Sequence, residues 1–145
     1  MKKNRLKFVL ALARTHNSIF DAIGRDIQGY GFTVSEFGVL EFLYHTGEQS
    51  VQKIAEKILV TSGTITYVID KLQKQGLVLR KQCETDKRVY FVALTPEGEE
   101  TISRIFPLHE AFLNELLSGV DEELIKAGLN DLIKINNALN RKDQV

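Results

Sequence analysis

The chain has 145 residues, 43% hydrophobic and 26% charged, with 19 Lys/Arg balancing 19 Asp/Glu, which suits a single domain around one core. One cysteine excludes an internal disulfide, and three scattered histidines (His16, His45, His109) give no multi-ligand metal spacing; no metal or cofactor is expected, and a reducing cytoplasm fits. The neutral total hides a division, because residues 51–95 carry eight Lys/Arg against four Asp/Glu while residues 96–145 carry five against ten, so only one part of the chain presents a positive field.

At the N-terminus Lys2, Lys3, Arg5 and Lys7 precede the apolar run Phe8 to Ala13, an imitation of a secretory leader. Arg14 interrupts the run and apolar residues then recur at helical spacing, so a helix is expected rather than a cleaved leader, and no transmembrane stretch follows. Val9, Leu12, His16, Ile19, Ile23, Ile27 and Tyr30 step by three or four, one long stripe on a first helix that ends near Gly29 to Gly31. Thr33-Val34-Ser35-Glu36 opens a second helix through about His45, with Phe37, Leu40 and Tyr44 inward and Gly47 closing it. Ser50 caps a third whose inward residues are Val51, Ile54, Ala55 and Ile58.

A turn at Leu59-Val60-Thr61 leads into a fourth helix, with Thr61 as its cap, Ile65, Val68, Ile69 and Leu72 inside, and Gly76 as its stop. Its outward residues are Ser62, Gly63, Thr64, Thr66 and Tyr67, then Lys71 and Lys74. Hydroxyls bond bases or phosphate, a threonine methyl can meet a thymine methyl, lysine neutralises phosphate, and the helix N-terminus itself attracts anions. Residues 77–82 and 89–94 are rich in β-branched and aromatic types around the polar tip Cys83-Glu84-Thr85-Asp86-Lys87-Arg88, and are expected to pair as a hairpin. Thr95 then caps a fifth helix with Pro96 in its first position and Glu97, Glu99 and Glu100 at its positive end. Ile102, Ile105, Phe106, Phe112, Leu113 and Leu116 extend its stripe, with a kink expected at Pro107. Asp121-Glu122-Glu123 starts a last helix carrying Ile125, Leu129, Leu132, Ile133 and Leu139.

A helix that can lie in a groove, followed by a basic hairpin that can touch the flanking backbone, is the layout of a winged helix-turn-helix. The expected fold is mainly α with a small β-hairpin, and with dimerisation helices at both chain ends. The apolar stripes of the first and last helices lie outside the compact centre, and such surface marks an interface; a twofold dimer built from both ends is expected.

This order of elements resembles the MarR family of transcription regulators over nearly the whole chain. The matching stretches are Thr61-Ser62-Gly63-Thr64-Ile65-Thr66, Val68-Ile69-Asp70-Lys71-Leu72, Gly76-Leu77-Val78, Asp86-Lys87-Arg88 and Leu94-Thr95-Pro96-Glu97-Gly98; each is weak alone, and their order makes them specific. The resemblance implies one domain over 1–145, with 1–32 and 96–145 dimerising and 33–95 binding DNA. It also implies a homodimer that binds a pseudo-palindromic double-stranded operator, usually represses, and is released by a small, often aromatic effector or by an oxidant. By position, Ser62, Gly63, Thr64, Thr66 and Tyr67 fall on the recognition helix. Asp86 and Arg88 fall on the wing pair in which a carboxylate orients an arginine that enters the minor groove, with Arg80 and Lys87 adding backbone contacts, beside Lys71, which its outward place on the fourth helix already makes a candidate phosphate contact. His16, Phe20, Tyr44 and His45 fall where the effector pocket would be. The segment is also similar to regulators of quinone and catechol detoxification genes.

Other classes fit less well. Gly24 and Gly29 have phosphate-loop spacing, but Tyr30 stands where the lysine should be and no strand precedes them. No nucleophile has a placed base, so an enzyme is not expected. Cys83, near Lys81, Lys87 and Arg88, suggests an alternative thiol-based redox switch. A winged-helix protein-interaction module is the remaining rival; it would lack salt-dependent duplex affinity.

Overall fold

The computed structural model describes residues 2–58 and 62–141, without the side chains of Lys2 and Ser62. The chain divides into two compact units, Met1–Glu110 and Ala111–Val145.

In the first unit, α1 (Lys2–Gln28) is exposed over most of its length and buries only its end, where Ile27 enters the core and Ile23 packs against it. Gly31, at φ +87°, takes the left-handed turn that stops it. α2 (Val34–Thr46) begins with a capping box: the Thr33 hydroxyl accepts from the Glu36 amide and the Glu36 carboxylate accepts from the Thr33 amide. Gly47, at φ +77°, ends it by donating to the Leu43 carbonyl at 2.8 Å. The core face is Phe37, Leu40 and Leu43; Tyr44, expected inward, is 37% exposed. The helical period lets position 43 or 44 continue the stripe, and the smaller, wholly apolar leucine takes the place.

β1 (Gln49–Ser50), which periodicity did not announce, makes the expected hairpin a three-stranded antiparallel sheet with β2 (Val78–Gln82) and β3 (Tyr90–Leu94), in the order β1-β3-β2. Gln49 faces Val92, and Arg80 faces Val92 from the other side. α3 (Val51–Ile58) follows at once, capped by the Ser50 hydroxyl, which accepts from the Lys53 amide at 3.1 Å. α4 (Ser62–Lys74) buries Ile65, Val68, Ile69 and Leu72 against Ile54 and the α2 face. The expected turn at Leu59-Val60-Thr61 and the Thr61 cap lie outside the described residues.

α5 (Pro96–Leu116) runs as one helix through Pro107 and buries Ile102 and Ile105. Its start is held by Thr95, whose hydroxyl donates to the Gly76 carbonyl at 2.6 Å and accepts from the Gly98 amide at 2.9 Å, while its amide donates to the Leu77 carbonyl. Gly98 lies so close to that carbonyl that a Cβ would stand 1.9 Å from its oxygen. The second unit holds the end of α5 and α6 (Glu122–Asn140), capped by the Asp121 carboxylate; α6 buries no residue of its own.

A side chain at Gly98 can be accommodated only by shifting backbone. Gly98→Ala is expected to cost about 3 kcal/mol, the upper range for overpacking, in urea denaturation. A loss below about 0.5 kcal/mol, the scale of surface changes, would show that α5 is not anchored there.

Candidate nucleic-acid interface

Because α4 turns Ile65, Val68, Ile69 and Leu72 inward, Gly63, Thr64, Thr66 and Tyr67 face outward, Tyr67 with 69% of its surface exposed. Ser62 starts the helix, though its side chain is outside the described set. The wing supplies the second half of the site. Asp86 grips Arg88 three ways: Oδ1 accepts from Nε at 3.1 Å and from the Arg88 amide at 3.0 Å, and Oδ2 accepts from a terminal guanidinium nitrogen at 3.1 Å. This pair holds the Asp86 carboxyl below its usual range and raises the guanidinium. Arg88 remains 90% exposed, so it is oriented without being covered. The tip is braced by Cys83 N–H to Val89 C=O, Val89 N–H to Asp86 C=O, and the Gln82 amide group to the Lys87 carbonyl. The Lys87 side chain points to solvent.

Helix and wing share one concavity. A groove of about 640 Å³ is lined by Thr66 of α4, Arg80 of β2, Arg88 and Val89 of the wing, and Ser50, Gln52 and Glu56 at and in α3. Thr66, Arg80 and Arg88, 22 residues apart at the extremes, therefore face one space. Arg80 also pairs with Asp70 of α4, which ties the wing strand to the helix.

Lys71 has a partner within the protein. Its ammonium lies 2.7 Å from the Glu36 carboxylate, with Lys71 44% and Glu36 3% exposed; that hydrogen bond, then the Glu36 charge, raises the lysine's pKa.

The residues expected to line an effector pocket fall into two groups. His16 and Phe20 stack on α1 at 4.5 Å, whereas Tyr44 and His45 pack edge-on at 5.2 Å, with Phe106 4.8 Å from His45. The cavity that Phe20 lines, about 500 Å³, is bordered by Asp21, Gly24, Arg25, Gln28, Phe32, Thr33 and Val34 rather than by the other three. Sequence reading missed Phe106 as their neighbour, and it missed a buried polar cluster in which His109 Nδ1 lies 2.9 Å from Asp26 Oδ2 and the Tyr30 hydroxyl donates to Oδ1. Burial, then the Asp26 charge, raises the Tyr30 phenol. No spacing signal links positions 26 and 109.

Cys83 is half-buried, with Sγ 3.2 Å from the Thr85 hydroxyl. That hydroxyl, then the amides of Asp86 and Thr85, lowers the thiol's pKa, against the opposing effects of burial and then of the Asp86 charge. The cause is local hydrogen bonding and not the neighbouring cations. Among the described residues no cluster of His, Cys, Asp or Glu could hold a metal, and no helix is long and apolar enough to cross a membrane.

A model of the MarR family matches residues 32–90. The HTH-type transcriptional regulator MhqR of Bacillus subtilis is 42% identical over 126 residues, 87% of each chain. Sco3205, a MarR family transcriptional regulator from Streptomyces coelicolor solved in complex with DNA, superposes with a TM-score of 0.82 at 21% identity over 94% of this chain and 87% of that one. BpsR of Bordetella bronchiseptica, whose DNA binding is regulated by 6-hydroxynicotinic acid, gives 0.81 at 22% identity over 90% and 98%. At those identities the two structures attest the fold.

With Thr85 stabilising its thiolate, Cys83 is expected to be alkylated by iodoacetamide with a pH midpoint below that of an ordinary cysteine. Thr85→Val should move that midpoint upward. Identical profiles for the two proteins would remove the hydroxyl from the account.

Proposed function

Since the chain belongs to the MarR family of DNA-binding transcriptional regulators, we propose that it acts as a homodimeric repressor of a pseudo-palindromic operator, working in the cytoplasm and released by a small aromatic, phenolic or quinone-like effector. In this reading residues 33–95 are the DNA-binding region, and 1–32 and 96–145 join the two copies.

The observation that carries the reading is the common groove of Thr66, Arg80 and Arg88 beside an exposed helix face. α4 enters the major groove with Ser62, Gly63, Thr64, Thr66 and Tyr67 toward the bases. Arg88 enters the flanking minor groove, where a narrow, strongly negative channel favours a guanidinium already fixed by Asp86. Lys87 and Arg80 contribute backbone contacts. Arg88→Ala is expected to weaken binding to a duplex from the chain's own upstream promoter by about 5- to 100-fold, the range for one groove contact. Fluorescence anisotropy at several salt concentrations measures it, and unchanged affinity throughout takes Arg88 out of the mechanism.

Dimerisation is supported by apolar surface that each unit leaves uncovered. Leu6, Phe8, Val9, Leu10 and Leu12 are exposed on α1, and Leu124, Leu129, Leu132, Ile133 and Leu139 on α6. Two copies place two recognition helices about 34 Å apart, one turn of duplex. An effector acts by preferring a different spacing; the exposed rings of Tyr44 and His45 beside Phe106 suit an aromatic one. Leu132→Glu combined with Ile133→Glu should give a monomer by sedimentation velocity and lower duplex affinity by about 100-fold through lost avidity. A folded double variant that still sediments as the wild type, or a wild type that is a DNA-competent monomer, overturns the dimer.

A further inference from the structure

Glu36 is buried, and its two oxygens serve two different elements. Oε2 accepts from the Thr33 amide at 3.3 Å, completing the start of α2; Oε1 accepts from the Lys71 ammonium of α4 at 2.7 Å. Lys71 follows Tyr67 by one turn at the edge of the outward face, and its 44% exposed side chain reaches back to the Glu36 carboxylate of α2. The apolar contacts beneath α4 are non-directional and tolerate small rotations. A charge-assisted hydrogen bond to a carboxylate held by a second bond is directional and opposes larger ones. A rotation of about 20° about the α4 axis would move the tip of Thr66, roughly 6 Å from that axis, by about 2 Å relative to the groove that Arg88 also lines.

We propose that Glu36 is a positioning residue for sequence recognition: through Lys71 it fixes the rotation of α4 about its own axis, and thereby which side chains meet the bases. The inference rests on α4 being the recognition helix. It assigns Lys71 an internal role in place of phosphate contact. A lysine that contacts no phosphate releases no counterions, so its loss leaves the salt dependence of binding unchanged while lowering affinity for the preferred sequence.

The test begins with the duplex that the wild-type protein enriches from a randomised pool, measured beside a scrambled duplex of equal length. E36Q keeps the shape and removes the charge. It is expected to weaken binding to the enriched duplex by about 3- to 30-fold while binding to the scrambled one is unchanged or tighter. K71M should lose specificity in the same way with the slope of log affinity against log salt unaltered, and K71R should recover the wild-type ratio to within about twofold, because the longer cation still reaches Glu36. A slope reduced by about 0.9 in K71M would make Lys71 a phosphate contact and overturn the proposal, as would equal losses on both duplexes or no loss on either. If E36Q lacks a cooperative thermal melt, K71M against K71R decides alone. Failure of the wild type to enrich any duplex is a separate result, and defeats the recognition-helix reading together with this one.

Discussion

The structure depends on one constraint: α4 has a single apolar stripe, and burying it dictates everything the opposite face can do. Ile65, Ile69 and Leu72 are wholly inside, where each large side chain contributes about 1.5–3 kcal/mol. No rotation that exposed them could be tolerated, so Gly63, Thr64, Thr66 and Tyr67 are turned outward as a consequence of packing. The charged ties to α2 and β2, Lys71–Glu36 and Asp70–Arg80, refine an orientation that the core has already chosen in outline. A surface made this way is available to a polyanion without being built around one, which is why the neutral total charge is no obstacle.

Much of this was legible in the chain. Capping residues, left-handed glycines and three-or-four spacing mark α2, α4 and the start of α5 because each signal is local: Thr33 and Glu36 are one turn apart, Gly47 and Gly76 sit at the stops, and Thr95-Pro96 opens a helix wherever it occurs. The wing was legible for the same reason, since Asp86 and Arg88 need only each other and a turn. What escaped notice is held together over distance. β1 is two residues long and is a strand only because β3 lies beside it. Glu36 and Lys71 are 35 residues apart, and Asp26 and His109 are 83 apart. Nothing in Lys71 itself distinguishes a lysine that faces phosphate from one that neutralises a buried carboxylate. The aromatic residues assigned to one pocket illustrate a related limit, because helical spacing places His16 and Tyr44 on their own helices but does not say which faces meet.

The wing arginine shows how binding entropy can be lowered in advance. An exposed guanidinium has many rotamers, and ordering one on contact costs roughly 0.5–1.5 kcal/mol. Asp86 accepts two hydrogen bonds from the guanidinium and one from the Arg88 amide, which restricts the side chain beforehand while 90% of it stays in water. The surrounding turn is likewise closed by backbone bonds on both sides, so the tip acts as one piece.

Thr95 has a wider consequence. Its hydroxyl and amide bind the carbonyls of Gly76 and Leu77 while it caps α5, and Gly98 is pressed against that same Leu77 carbonyl. The tail of α4, the root of β2 and the opening turns of α5 are thereby welded at a single knot of backbone. Three hydrogen bonds meeting at one threonine make a joint and not a hinge: a tilt of those opening turns strains the end of α4 and the root of β2 together.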